Sequence, residues 1–340
     1  MNILVVDDSA FMRKVITDIV EKQSDLHVMN TARNGKQAVE LISQNNYDLV
    51  LMDIEMPTMN GLEALKVIRR TNNVPVIILS ALSKKENTIE ALATGATDFV
   101  EKPNNLMNLE NEWLEEFLTK IRGIDNETKD DSGDKARLFV NVQKNDKDFN
   151  TLRAVVIGAS TGGPKTLLRI IRSLNTPTRI PILIVQHMPK GFTTSFAERL
   201  NQESKSEVVE AKEGMKIEPK IYVAPGDFHM VVKNGKISLN QGPKQNGTRP
   251  AVDNLFISAA DVYKNRLAGI ILTGMGKDGT IGMSRIKDFG GYTVSQDEQS
   301  SVIFGMPRSA IEAGVVDEVL SLDEVLSLDE VCQRLQQMIG

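Results

Sequence analysis

A chain of 340 residues has room for about two domains. Hydrophobic residues make up 41% and charged residues 25%, the balance of a globular protein with a buried core. The net charge of −5 argues against nucleic-acid or anionic-membrane partners, which select basic surfaces. The single cysteine, Cys332, excludes an internal disulfide framework and fits a reducing cytoplasm. Met1-Asn2-Ile3-Leu4-Val5-Val6 has no basic leader and too short an apolar run for a signal peptide. No stretch approaches the roughly 20 apolar residues that span a bilayer, so no membrane insertion is expected.

Apolar runs alternate with helical patterns from the N-terminus onward. Strands are predicted at Ile3–Val6, Val28–Ala32, Leu49–Met52, Val76–Leu79 and Asp98–Val100. Helical periodicity falls at Ala10–Val20, Gln37–Ile42, Leu62–Ile68 and Asn87–Ala93, with a closing helix at Leu106–Ile121. This alternation predicts a parallel sheet covered by helices over residues 1–122. Residues 123–150 hold six Asp, one Glu and five Lys or Arg and read as a linker, with Leu138-Phe139-Val140 as a candidate docking patch. A second α/β series over 151–340 has strands at Ala154–Ile157, Ile182–Val185, Val208–Glu210, Ile221–Ala224, Ala268–Leu272 and Tyr292–Ser295. Within it His229–Asn240 reads as a hairpin turning at Asn234-Gly235. Near the end, Glu318–Asp323 repeats at once as Glu324–Asp329, a local duplication that lengthens a terminal strand–helix connection.

The first series places five polar side chains at one sheet edge. Asp7 and Asp8 follow the first strand, Asp53 ends the third, Ser80 the fourth, and Lys102 follows the fifth. Carboxyl edges of parallel sheets are where open α/β folds build their sites. Three carboxylates in one pocket repel unless a hard cation joins them, and Mg²⁺ suits an oxygen-only site. Asp53 could then attack a phosphoryl donor, with Lys102 offsetting charge and Ser80 bonding a phosphoryl oxygen. Over 1–122 this resembles the receiver domains of two-component signalling, with their flavodoxin-like (βα)5 fold. The resemblance implies Asp53 as phosphoacceptor, Asp7 and Asp8 as metal ligands with the backbone carbonyl of Glu55, and Phe99 as a switch aromatic that swings with Ser80. Phe stands there where the family frequently has Tyr.

In the second series, Gly158-Ala159-Ser160-Thr161-Gly162 lies between a strand and the helix Lys165–Ser173. The pattern Gly-x-Ser-x-Gly in a strand–turn–helix context is that of a nucleophile elbow. A dinucleotide site is the first rival, but Gly-x-Gly-x-x-Gly spacing and an acidic ribose partner are both missing. An ordinary α/β hydrolase, with its order Ser, acid, His, is the second. No Asp or Glu lies between Ser160 and His187, and with His229 as the base the acid would be Asp227 or a scattered Glu. His187 follows an apolar strand and reaches the same edge as Ser160. Asp278, in Thr273-Gly274-Met275-Gly276-Lys277-Asp278-Gly279, ends another. The order Ser160–His187–Asp278 is a further variant of a constellation defined by geometry.

Gly158–Pro164, Gln186-His187-Met188-Pro189, Ala224-Pro225-Gly226, Arg249-Pro250-Ala251-Val252-Asp253, Leu272–Gly279 and Gly305-Met306-Pro307 together resemble the CheB family of protein-glutamate methylesterases, over about 152–340. The resemblance implies a second doubly wound domain, a three-layer αβα Rossmann-like hydrolase with a mainly parallel sheet and a hairpin insertion. It implies Ser160 as nucleophile, His187 as base, Asp278 as its orienter and the Met275 N–H in an oxyanion hole. The implied partners are methyl-accepting chemotaxis receptors as substrate and a chemotaxis histidine kinase as phosphoryl donor. The implied control is a receiver that covers the crevice until phosphorylated. A non-catalytic response regulator is the competing reading; a DNA-binding effector would need a basic recognition helix, and none is evident.

Overall fold

A computed structural model describes residues 1–81, 83, 85–103, 111–128, 148–322 and 330–340. The chain divides into two compact units, Met1–Asp134 and Lys135–Gly340. Among the described residues no helix is long and apolar enough to cross a membrane.

The first unit alternates strand and helix: β1 (Asn2–Val6), α1 (Ala10–Glu21), β2 (His27–Ala32), α2 (Gly35–Gln44), β3 (Leu49–Asp53), α3 (Gly61–Ile68), β4 (Val76–Ser80), α4 (Lys85–Thr94), β5 (Asp98–Glu101) and α5 (Asn111–Thr128). The sheet is parallel with order β2-β1-β3-β4-β5. β3 and β4 are buried along their whole length, as strands covered on both faces must be. Ile3, Val5, Leu49, Leu51, Ile77, Leu79 and Val100 form one core with Phe117 and Ile121 of α5. Sequence punctuation fixes the helix starts. Ser9 and Asn34 cap α1 and α2, and Asn60 with Glu63 makes a capping box on α3. The closing helix departs from expectation: described from Asn111, it continues to Thr128, past the predicted end at 121. Residues 106–110 of the expected helix, most of the linker with its 138–140 patch, and the second copy of the hexapeptide from 324 lie outside the described residues.

The second unit opens with a 3₁₀ turn at Phe149–Thr151. It continues as β6 (Ala154–Ala159), α6 (Gly163–Ser173), β7 (Ile182–Gln186), α7 (Phe192–Glu203), β8 (Val208–Glu210), β9 (Ile221–Val223), β10 (His229–Lys233), β11 (Lys236–Asn240), α8 (Val252–Tyr263), β12 (Leu267–Ile271), α9 (Thr280–Asp288), β13 (Tyr292–Gln296), α10 (Met306–Glu312), β14 (Glu318–Leu320) and α11 (Glu330–Ile339). Its seven-stranded sheet is parallel throughout, in the order β14-β13-β12-β6-β7-β9-β8. β10 and β11 form the separate hairpin, whose turn residues Asn234 and Gly235 have φ of 52° and 69°, the left-handed values of a type I′ turn. β14 is the first half of the first hexapeptide copy, and α11 begins at Glu330, the residue after the second.

α7, α8 and α10 have no counterpart in the sequence reading, for physical reasons. α8 buries Val252, Leu255, Phe256, Ala259 and Ala260 at i, i+3, i+4, i+7 and i+8, one apolar stripe that the sequence blurs with the apolar Ile257 and Val262 off that face. α7 begins Phe192-Thr193-Thr194-Ser195, poor helix formers that only tertiary packing holds. Both sheets reverse strand order once. The first does so at β1, between β2 and β3, and the second at β6, between β12 and β7. The carboxyl ends of such strands open a crevice.

Candidate functional site

In the first unit Asp7, at the end of β1, is fully buried, and Asp53, at the end of β3, is 6% exposed. Ligand oxygens of Asp7, Asp8 and Asp53 all lie within 4.8 Å of one another. Lys102 Nζ stands 2.8 Å from Asp7 Oδ2 and 2.8 Å from Asp53 Oδ2. Burial raises the Asp53 carboxyl above its ordinary range; Lys102 pulls it down without cancelling the effect, and the charge on Asp7 adds to the rise. Burial pulls Lys102 down, but the two carboxylates outweigh it and hold the ammonium above its usual value. This donor set, all oxygen with Asp8 exposed, suits a hard divalent cation. Asp7 Oδ1 also accepts from Ser9 N at 2.9 Å, and Arg13 donates to the Asp7 and Asp8 carbonyls, which fixes the β1–α1 turn.

Ser80 and Phe99, the expected switch pair, are both buried. Ser80 Oγ is engaged with Thr88 Oγ1 on α4 and with the Ala81 carbonyl. Phe99 is 2% exposed, with Lys120 over its ring and bonded to its carbonyl.

In the second unit Ser160 leaves the end of β6 at the sheet's reversal. The register pairs Ala159 with Gln186, and His187 N donates to Ala159 O, so Ser160 and His187 occupy neighbouring strand ends. Adjacent strands lie about 4.8 Å apart. On the other side Ser160 N donates to Thr273 O at 3.0 Å. The turn needs Gly162, which caps α6 at φ 78°, a conformation few side chains adopt. Gly274 answers a different demand, since a Cβ there would meet Ser160 Cβ at 2.7 Å. The 273–279 loop thus passes directly against the serine. The Gly274 carbonyl accepts from Gly305 N and Met306 N, which holds the peptide leading into Met275.

His187 Nε2 lies 2.8 Å from Asp278 Oδ2. Asp278 is 2% exposed and also accepts from Val252 N at 2.7 Å and Asp253 N at 2.9 Å. Burial raises its carboxyl, but the His187 hydrogen bond and charge and the two amides outweigh it and keep it below the ordinary value. A carboxylate so held only accepts, so Nε2 carries the histidine proton and Nδ1 the lone pair. Thr248 Oγ1, 3.5 Å from Nε2, gives its own proton to Gln245 O and so offers Nε2 another lone pair. His229 stands apart from any carboxylate in its ring bonds: Nε2 meets Pro243 O and Nδ1 meets Ala251 N. Asp227 bonds Arg249 and Gln241 instead. Among the described residues the conventional Ser–acid–His alternative therefore has no acid–base pair.

Four site residues escape sequence reasoning. Thr248 arrives on a loop with no local signature. Gly274 is one glycine in a rich turn. Gln186, 1% exposed, ties the two strand ends by donating from Nε2 to Ser160 O at 2.8 Å and His187 O at 3.2 Å. Asp253 Oδ1 accepts from Gly282 N at 2.7 Å. The N-caps of α8 and α9 make no side-chain hydrogen bond, and each helix start is served by an aspartate from beside the other: Asp278 at α8, Asp253 at α9. An Asp in the first turn of a helix was the one available signal for Asp253.

The family model described as CheB methylesterase matches residues 155–328, and that of the response regulator receiver domain matches 3–113. A protein-glutamate methylesterase/protein-glutamine glutaminase of Pyrococcus abyssi is 46% identical over 333 residues, 95% of this chain and 90% of that one. A protein of the same name from Thermotoga maritima is 44% identical over 331 residues, 94% of this chain and 95% of that one. The crystal structure of the Thermotoga maritima CheB methylesterase catalytic domain superposes with a TM-score of 0.51 at 43% identity, covering 55% of this chain and 99% of that one. With a receiver ahead of a matched esterase domain and such identity across nearly its whole length, the chain belongs to the CheB methylesterase family.

Proposed function

We propose that the protein is a phosphorylation-activated serine hydrolase that removes methyl groups from glutamate γ-methyl esters of methyl-accepting chemotaxis receptors, in the cytoplasm, as part of sensory adaptation. The observation that carries this reading is the His187–Asp278 pair at 2.8 Å beside the strand end that bears Ser160. Ser160 Oγ attacks the ester carbonyl while His187 Nδ1 takes its proton. The Met275 N–H and the start of α6 face the developing oxyanion. Collapse returns that proton to the leaving oxygen, and methanol departs. Water then attacks the acyl-enzyme, gives a proton to Nδ1, and leaves glutamate and a restored serine. Asp278 holds the proton on Nε2 throughout, so that Nδ1 is the free base. The ring is thus turned over relative to the common triad, in which Nδ1 faces the acid. A glutamine amide at the same carbonyl would lose ammonia instead, and the relatives' names include that glutaminase activity.

The receiver spans 1–122, with α5 carried on to Thr128; 123–150 links it to a catalytic domain over 151–340. Asp7, Asp8, Asp53 and the Glu55 carbonyl would hold Mg²⁺, which supplies charge neutralisation when bound. Asp53 accepts the phosphoryl group from a chemotaxis histidine kinase, and Lys102 balances its charge. The test is methanol release from methylated receptor membranes, with and without a small-molecule phosphoryl donor. No release in either condition would overturn the reading.

A further inference from the structure

His229 is 1% exposed, and its ring bonds the backbone at both ends of one loop. Nε2 lies 3.0 Å from Pro243 O, and Ala251 N donates to Nδ1 at 3.2 Å. A carbonyl only accepts and an amide only donates, so the ring is fixed with its proton on Nε2. Between these pins Gln245 and Thr248 exchange backbone hydrogen bonds at 3.0 and 2.9 Å around Asn246 and Gly247, a two-residue turn with both φ positive. Each pin leads to the site. From Pro243 the loop carries Thr248 to 3.5 Å from His187 Nε2. From Ala251 the next two amides, Val252 and Asp253, hold the Asp278 carboxylate.

We infer that His229 is a positioning residue with two separable duties. Its Nδ1 sets the start of α8 and, through it, Asp278; its Nε2 sets the 243–249 loop as a wall of the crevice beside His187. This rests on the reading of Ser160, His187 and Asp278 as the catalytic group. A ring that merely filled the core would need neither bond, and any residue of similar volume would serve.

Two conservative variants separate the duties, because an asparagine oxygen falls near the Nδ1 position and a glutamine nitrogen near Nε2. In the full chain, H229N keeps the Ala251 tie and loses Pro243. H229Q keeps the Pro243 tie and loses Ala251. With a methyl-esterified glutamyl peptide as substrate, H229N should raise KM about tenfold with kcat nearly unchanged. H229Q should lower kcat about tenfold with KM nearly unchanged, about the effect of one hydrogen bond. Identical kinetics for the two variants, whether wild-type or equally impaired, overturn the inference. Should either fail to fold, the wild type decides by ring ¹⁵N shifts, with only three histidines to assign. A proton on Nε2 of His229 supports the inference, and a proton on Nδ1, or exchange between the two nitrogens, overturns it. His187→Ala separates the two readings: wild-type activity there sinks the catalytic assignment itself, whereas loss of activity there with identical position-229 variants sinks only the positioning role.

Discussion

The two units build their chemistry at the same place and solve opposite electrostatic problems. Each puts its proposed nucleophile where a parallel sheet reverses strand order, Asp53 beside β1 and Ser160 at the end of β6. In the first, buried carboxylates crowd together, and Lys102 reaches two of them. In the second, one buried carboxylate, Asp278, receives two backbone amides and a histidine, with Asp253 buried beside it. Both aspartates are nearly inaccessible, yet burial and Asp7 leave Asp53 raised while His187 and the amides leave Asp278 lowered. Burial alone therefore does not decide ionisation; the balance of donors and neighbouring charge at the carboxylate does.

The widest test of the contrast removes each nucleophile's support in turn. Ser160→Ala should reduce ester hydrolysis by on the order of 10⁴ to 10⁶ in kcat, as nucleophile removal does in other serine hydrolases. More than a tenth of the activity remaining would break the assignment. Asp278→Asn should cost on the order of 10³ to 10⁴, because an amide can donate to Nε2 and so move the proton to Nδ1, the nitrogen the serine needs. A loss smaller than about tenfold would mean that Asp278 only caps α8.

Much of this was legible in the sequence because both sites lie at strand ends, and strand ends are visible as apolar runs meeting Asp, Ser or His. Asp7, Asp53, Ser160, His187 and Asp278 could be placed on two sheet edges from that pattern alone. What the sequence did not yield depends on partners far along the chain. Gln186 reads as the last residue of a strand until its amide is found bridging Ser160 and His187. The exchanged caps of α8 and α9 need two helices packed side by side, and the apolar stripe of α8 shows a helix without showing which carboxylate would cap it. The Ser80–Thr88 pair is likewise a tertiary fact.

A third carboxylate extends the comparison. Burial and the charge of Asp278 push Asp253 up, against the amides of α9, from 3.8 to about 6. A carboxyl raised by folding contributes stability that is full below its unfolded value and is lost as pH rises through its folded value. Roughly two units correspond to about 3 kcal/mol, an upper figure for its effect between pH 4 and 7. Asp253→Asn should therefore be more favourable relative to the wild type at pH 7 than at pH 4, measured by urea unfolding of the second unit. Asp278, held low, acts with the opposite sign: its contribution is full above the ordinary carboxylate value and fades as pH falls through its lowered one. A difference between wild type and Asp253→Asn that did not vary with pH, or grew toward pH 4, would show that the α9 amides outweigh burial at this site.

The smallest effect concerns how the first site speaks to the second. Ser80 spends its hydroxyl on Thr88 of α4 and the Ala81 carbonyl, so a phosphoryl group on Asp53 must compete with Thr88 for it. Phe99 is buried as well, and α4, which carries Thr88, is the element that this competition would move. The response need not be large, since a bias of about 1.4 kcal/mol between restrained and released states changes activity tenfold. A phosphoryl donor with Mg²⁺ should therefore raise hydrolysis by about tenfold, a gain that Asp53→Ala removes and Thr88→Ala, which frees Ser80, reaches at lower donor concentration. Residues 151–340 alone should be active without the donor. A fragment no faster than the unphosphorylated full chain would mean that the receiver does not restrain the esterase. The phosphorylated first unit would then have to contribute something positive, such as holding the enzyme against its receptor.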